Sequence, residues 1–119
     1  MRKAAKAQWY AKREGLVYGK VLSFCPLNWR TADDGAQEVL QAAMDCCFFP
    51  LYEVEHGKTI ISYDPDATGR RRPVADWLKA MGKTRHLLAP KHKPLIEAIE
   101  AETERRWRRL KAMHQNPEL

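Results

Sequence analysis

Three cysteines are the softest donors in this chain, and their placement divides them. Cys25 stands at the end of the β-branched and aromatic run from Leu16 to Phe24, just before Pro26, whose missing N–H stops ladder pairing. A thiolate at such a strand end can project from a fixed scaffold into a cofactor site; a lone cysteine is more commonly buried and inert. Spacing alone leaves both readings of Cys25 open. Cys46 and Cys47 are adjacent, which places them poorly for sharing one metal, and they end an apolar helical face, where free cysteine behaves as a small hydrophobe.

Other constellations carry less. Ile60-Ile61-Ser62-Tyr63 followed by Asp64-Pro65-Asp66-Ala67-Thr68 has the strand-then-DxDxT form of aspartate-nucleophile phosphotransferases, but no later Lys and Asp motifs follow the Arg70-Arg71-Arg72-Pro73 run. The same residues imitate the start of a calcium loop, yet its twelfth position is Ala75 where a bidentate glutamate is needed. His56, His86, His92 and His114 show no i, i+4 pairing or cysteine clustering, so they read as surface residues rather than zinc ligands. Without a glycine-rich phosphate loop or a GxSxG elbow, no complete catalytic centre can be assembled from these residues.

The elements that must position these groups follow from periodicity. Arg2 to Glu14 is rich in helix formers and is stopped by Gly15. Leu16 to Phe24 is expected to be a buried strand, and Pro26 to Gly35 a loop in which Asp33 or Asp34 caps the next helix. Val39, Leu40, Ala43, Met44 and Cys47 recur at helical spacing before Pro50. Leu51–Glu55 and Thr59–Tyr63 flank the link His56-Gly57-Lys58 as an antiparallel hairpin. A short helix through Val74, Trp77, Leu78 and Met81 ends at Gly82, and a long one from about Leu95 to His114 carries Ile96, Ile99, Thr103, Trp107, Leu110 and Met113 on one stripe. A single central strand makes a poor sheet, which points to a piece of something larger.

A length of 119 residues suits one domain, and 45% hydrophobic with 30% charged residues is ordinary globular composition. The formal charge of +6 permits an acidic partner, so a small basic interaction module binding an acidic protein or nucleic acid is the alternative function. Clusters such as Arg70-Arg71-Arg72 and Arg105, Arg106, Arg108, Arg109 and Lys111 more commonly form solvated surface, which argues against nucleic acid. The odd cysteine count points to a reducing compartment. No stretch reaches the roughly 18 apolar residues of a membrane span, and Met1-Arg2-Lys3 leads into no signal-peptide core. The expectation is a cytoplasmic protein without membrane contact.

Four segments in register carry a resemblance: Val21-Leu22-Ser23-Phe24-Cys25-Pro26-Leu27-Asn28-Trp29, then Phe49-Pro50-Leu51-Tyr52-Glu53-Val54-Glu55-His56-Gly57, then Arg72-Pro73-Val74-Ala75-Asp76-Trp77-Leu78-Lys79, then Gly82 and His86-Leu87. Together they resemble the C-terminal part of the β subunit of 2-oxoacid:ferredoxin oxidoreductases of the pyruvate synthase type. The resemblance implies an α/β fold, the C-terminal portion of a thiamine-diphosphate-binding fold, built as helix, strand, helix, β-hairpin and two C-terminal helices. Residues 1–63 would complete the thiamine-diphosphate-binding domain and end in the hairpin; residues 64–119 would be a C-terminal extension with a helical tail.

Enzymes of this family use thiamine diphosphate, Mg²⁺ and iron–sulfur clusters to convert a 2-oxoacid to an acyl-CoA and pass electrons to ferredoxin. Three cysteines of one [4Fe–4S] cluster lie early in the subunit type resembled here, and the fourth lies in the Cys-Pro loop, which Cys25 matches. The resemblance therefore makes Cys25 a cluster ligand, with iron as its metal, and Pro26 and Trp29 its support. The early cysteines and the Gly-Asp-Gly segment that holds Mg²⁺ and the diphosphate are absent, so this chain places no catalytic residue of its own and is expected to be inactive alone. Implied partners are the N-terminal half of the β subunit, α-, γ- and δ-type subunits, and ferredoxin, which would dock on Arg105, Arg106, Arg108 and Arg109. The Phe49-Pro50-Leu51-Tyr52-Glu53 run looks pyruvate-type, whereas Cys25-Pro26-Leu27-Asn28-Trp29 is also similar to the loop of enzymes for other 2-oxoacids.

Overall fold

The longest run of helix formers with an apolar stripe lies near the C-terminus, and there the longest element forms. In the computed structural model, which describes residues 2–13 and 15–119, helix α5 spans Lys93–Gln115. Pro94 occupies its first turn, where a proline loses no helical hydrogen bond. Its expected stripe faces inward: Thr103, Trp107 and Leu110 are buried, and Ile96 and Ile99 pack on the main core.

That core lies between helices α3, Ala36–Asp45, and α4, Val74–Ala80. Val39, Ala42, Ala43 and Cys46 meet Val74, Trp77, Leu78 and Met81 there, with Leu22, Phe24 and Trp29 against one side. Glu100 of α5 accepts the Val74 amide at 2.7 Å, so a neighbouring helix satisfies an N–H that opens α4. A smaller cluster joins Cys47, Trp107, Leu110 and Ile61 where α5 crosses the hairpin. Trp107 is 1% exposed, and truncating so large a buried ring costs about 3–5 kcal/mol.

The hairpin is β1, Tyr52–Glu55, paired antiparallel with β2, Lys58–Ile61, in the register Tyr52 to Ile61 and Glu55 to Lys58. Its link is two residues, not the expected three. His56 and Gly57 have φ of 48° and 79°, so both take the left-handed conformation that a tight turn of this twist requires, and Lys58 is free to pair. Helix α1, Arg2–Ala11, is tied to β1 by Lys3 and Lys6, both of which pair with Glu53, and Lys6 also pairs with Glu55. Glu14, the expected end of this helix, lies outside the described residues.

Three further expectations are corrected. Leu16 to Phe24 is not a buried strand: it takes no regular secondary structure, and Leu16, Tyr18 and Val21 are 99%, 83% and 86% exposed. A strand is defined by a pairing partner, and among the described residues β1 and β2 pair with each other and with no third strand. Neither Asp33 nor Asp34 caps α3; Gly35 occupies that position without a side-chain bond, because a turn closed by the Gly35 amide on the Ala32 carbonyl leaves both aspartates exposed. Helix α3 stops at Asp45, well before Pro50, because Cys47 turns left-handed at φ 59°. The observed class is mixed helix with a small two-stranded sheet, consistent with α/β.

Candidate functional site

Cys25 ends the irregular segment Leu16–Phe24 and caps the short helix α2, Pro26–Trp29. Its backbone is still extended, at φ −137° and ψ 101°, and its sulfur accepts the Asn28 amide at 3.5 Å, so the thiol itself caps the helix. Pro26 supplies the fixed first helical position, and Arg30 at φ 52° turns the chain out of it. The Trp29 amide bonds the Cys25 carbonyl at 2.9 Å.

This loop is held from the far side of the core. The Gly82 and Lys83 amides donate to the Arg30 and Trp29 carbonyls at 3.1 and 3.2 Å, and Lys83 Nζ reaches Asn28 Oδ1 at 3.3 Å. The Trp29 ring stands edge-on to Phe24 and to Trp77, with centroids 5.7 and 6.5 Å away. The result is an exposed thiol on a base fixed by backbone bonds and aromatic packing.

Cys46 and Cys47 are buried, as their apolar setting suggested. Burial pushes the Cys46 thiol up to about 11 and the Cys47 thiol to about 12, the latter even though the Arg71 guanidinium donates to its sulfur. Neither presents a thiolate at neutral pH. Among the described residues no group of three or more His, Cys, Asp or Glu side chains could hold a metal ion. Cys25 is thus the one exposed thiol among the described residues.

The DxDxT segment is a structural loop. Asp64 Oδ1 accepts the Asp66 and Ala67 amides at 2.9 and 3.2 Å, and Asp66 Oδ2 accepts Trp107 Nε1 at 2.7 Å and Lys111 Nζ at 2.6 Å. Those two donors, Lys111 first, hold the Asp66 carboxyl below its ordinary value, which suits a clamp and not a nucleophile. His56, His86 and His114 are exposed and His92 half-buried; His114 Nδ1 lies 3.1 Å from the Thr59 carbonyl and fastens the end of α5 to β2.

One buried polar centre escaped the sequence reading. Asp45 is fully enclosed and accepts Tyr63 Oη at 2.6 Å and Gln41 Nε2 at 2.8 Å, with Arg70 Nε and Arg72 Nε each 3.7 Å away. Arg71, between them, turns inward to Glu104 at 2.7 Å. The Arg70–Arg72 run is thus bound to carboxylates, not merely solvated. A single charge inside the apolar stretch Ala42 to Phe49 was the signal that could have found it.

The basic face of α5 borders a shallow groove of about 260 Å³ lined by Arg105, Arg106, Arg109, Tyr52, Leu110 and Met113, among others. Arg105 is paired with Glu102 and Arg108 with Glu104, whereas Arg106 and Arg109 have no carboxylate partner among the described residues.

Three relatives place this geometry in context. The chain is 34% identical over 107 residues to pyruvate synthase subunit PorB of Thermotoga maritima, a match that spans 89% of this chain and 32% of that subunit. It is 30% identical over 113 residues to ketoisovalerate oxidoreductase subunit VorB of Pyrococcus horikoshii, across 95% of this chain and 34% of the relative. With pyruvate synthase subunit PorB of Methanocaldococcus jannaschii it shares 36% identity over 87 residues, across 73% of this chain and 27% of the relative. The chain therefore spans about a third of the length of the curated relatives it matches. No family model and no solved structure matches it.

Proposed function

We propose that this chain, a homologue of the PorB and VorB β subunits of 2-oxoacid oxidoreductases, forms the C-terminal part of such a subunit and contributes one thiolate, Cys25, to a [4Fe–4S] cluster. The observation that carries the reading is the contrast among the cysteines: in a chain homologous over most of its length to these subunits, Cys25 is exposed on a braced loop while Cys46 and Cys47 are buried.

Thiolate is the usual protein donor to such a cluster, and a bound cluster would relay electrons to ferredoxin. The chain's own part is to hold that donor still. Cys25 Sγ is set by the Asn28 amide, the loop by Gly82 and Lys83, and Trp29 covers its inner side. Residues 1–63 complete the thiamine-diphosphate-binding domain and residues 64–119 form its helical extension. The remaining cluster ligands, the thiamine diphosphate and Mg²⁺ are carried by the rest of the β subunit, which works with α-, γ- and δ-type subunits in a reducing, cytoplasmic setting. The substrate is a 2-oxoacid: the Phe49-Pro50-Leu51-Tyr52-Glu53 run favours pyruvate, and the VorB relatives keep branched-chain oxoacids in the class.

Anaerobic co-expression with the remainder of the subunit tests the reading. The parent complex should purify brown, and Cys25→Ser should lose iron and the cluster's visible absorbance. Equal iron in the two would refute ligation by Cys25.

A further inference from the structure

The turn that follows α4 is held from several sides. The Gly82 and Lys83 amides donate to the Arg30 and Trp29 carbonyls, and the Thr84 amide returns to the Met81 carbonyl at 3.2 Å. Thr84 Oγ1 donates to the Leu78 carbonyl at 2.7 Å, which ties the turn to the end of α4 and satisfies a carbonyl left open there. The Lys83 backbone is therefore pinned against the Cys25 loop before its side chain is considered.

The side chain comes to the same loop. Lys83 Nζ donates to Asn28 Oδ1 at 3.3 Å, and the backbone amide of that asparagine donates to Cys25 Sγ at 3.5 Å. Among the described residues no carboxylate pairs with Lys83, whereas Lys3, Lys6, Lys93 and Lys111 each face one. Arg85, two residues on, turns elsewhere: its Nε donates to the Lys79 carbonyl at 3.3 Å. Lys83 is thus an unmatched cation fixed one asparagine away from the exposed thiol. Such a charge raises the electrostatic potential at the sulfur, and more strongly once a partner covers the loop and lowers the local dielectric.

We propose that Lys83, held on Asn28, sets a positive field at Cys25 Sγ and so raises the reduction potential of the cluster that this thiolate joins. Reduction adds one electron, and with it one negative charge, which a nearby cation favours. Net charge and hydrogen bonds around the sulfurs are the means by which a protein sets such a potential. Lys83 acts through Asn28 and makes no bond to the sulfur, so it is a positioning residue. The effect on potential rests on ligation by Cys25; the field at the thiol belongs to this chain alone.

Two measurements read the two halves separately. In the free chain Cys25 is the exposed thiol, and the ratio of its alkylation rates by anionic iodoacetate and neutral iodoacetamide reports the field at the sulfur, since the thiolate content cancels. Lys83→Gln, which keeps a donor for Asn28 and removes the charge, should lower that ratio about twofold at low salt. Lys83→Arg should keep it at the parent value. Asn28→Ala, which frees the lysine, should lower it too, and Arg85→Gln should leave it near the parent. In the complex from anaerobic co-expression with the remainder of the subunit, samples are poised with dithionite and mediator dyes. At the parent's midpoint potential, the ratio of reduced to oxidised cluster followed by EPR should fall about threefold or more in Lys83→Gln, at unchanged iron content. An unchanged alkylation ratio, an unchanged reduced fraction, or an equal shift in Arg85→Gln would overturn the proposal. Loss of iron or a lower unfolding midpoint in Lys83→Gln would also overturn it, by making the lysine a structural brace. Equal iron in Cys25→Ser and the parent would overturn the effect on potential alone, so failure of the ligand and failure of the field are told apart.

Discussion

Gly82 lies directly against Arg30: its amide donates to the Arg30 carbonyl at 3.1 Å, and a Cβ at position 82 would stand 2.7 Å from that oxygen and 2.9 Å from the Arg30 Cβ. The neighbouring atoms are backbone and Cβ, which cannot swing away. Gly82→Ala should therefore push the Cys25–Arg30 loop off its brace and destabilise the chain by about 1–3 kcal/mol, the usual cost of an overpacked contact. A drop in the urea midpoint together with faster exchange at the Trp29 and Thr31 amides is the expected result. An unchanged midpoint would mean that the loop does not depend on this approach.

How much of this arrangement was legible in the sequence depended on where the partner of each residue lies. Helices α4 and α5 could be read because Val74, Trp77 and Leu78, and Thr103, Trp107 and Leu110, find their partners inside the chain and repeat at the helical period. Leu16 to Phe24 has strand-type residues but forms no strand, since residue type reports preference while a strand needs a pairing neighbour that it lacks among the described residues; only Leu22 and Phe24 lean on the core. Cys25 was placed properly at the end of the extended run, but its brace was invisible: Gly82 and Lys83 are more than fifty residues away and act through backbone atoms. Asp45 was missed because a periodic pattern registers apolar residues and passes over one charge that Tyr63 and Gln41 satisfy.

Tyr63 supplies the shortest bond to the buried Asp45 carboxylate. Tyr63→Phe leaves that acceptor short of a donor and should lower stability by about 1–3 kcal/mol at pH 7, measured by urea unfolding. Burial first, and the hydrogen bond to Asp45 second, raise the Tyr63 phenol above its ordinary value of 10.0. The folded state thus holds the phenolic proton more tightly than the unfolded one. Its contribution is whole below pH 10 and is lost as pH rises through the folded value. Tyr63→Phe should flatten the alkaline limb of a stability–pH profile, and a variant with the same alkaline limb as the parent would contradict the assignment.

Asp66 behaves in the opposite sense. Lys111 and then Trp107 hold its carboxyl below the ordinary 3.8, so the folded state sheds the proton more readily than the unfolded chain. The stability this gives is present above that value and disappears as pH falls through the depressed folded one. Urea midpoints followed by tryptophan fluorescence between pH 7 and pH 2 should fall less steeply at the acid end for Asp66→Asn, while the variant is weaker than the parent at pH 7. Parallel acid limbs would show that the contact to Trp107 and Lys111 is not made in solution.

The three thiols should separate by accessibility. At pH 8 a thiol-specific chromogenic reagent should titrate one group rapidly, at Cys25, and Cys25→Ser should abolish that phase. Cys46 and Cys47, raised to about 11 and 12 by burial, should react only when denaturant opens the core, bringing the total to three. A second fast equivalent under native conditions would mean that the α3 end opens readily, and mapping it to Cys47 would place the opening at the left-handed turn.

The arginines of α5 differ in a way that decides how a docking role would show itself. Arg105 and Arg108 already face Glu102 and Glu104, so their charges are largely matched within the helix. Arg106 and Arg109 have no carboxylate partner among the described residues, and they border the groove beside Tyr52. On the reading that ferredoxin docks on this face, the unmatched pair should dominate the steering of an acidic partner, an effect seen chiefly in the association rate and its salt dependence. In the assembled enzyme, Arg106→Gln with Arg109→Gln should flatten the fall of ferredoxin reduction with ionic strength, and Arg105→Gln with Arg108→Gln should change it less. Initial rates across about 20 to 300 mM salt, a span over which the screening length shrinks severalfold, suffice to compare the slopes. If the unmatched pair left the slope unchanged, the electron acceptor would have to approach from another face, and these arginines would be solvated surface after all.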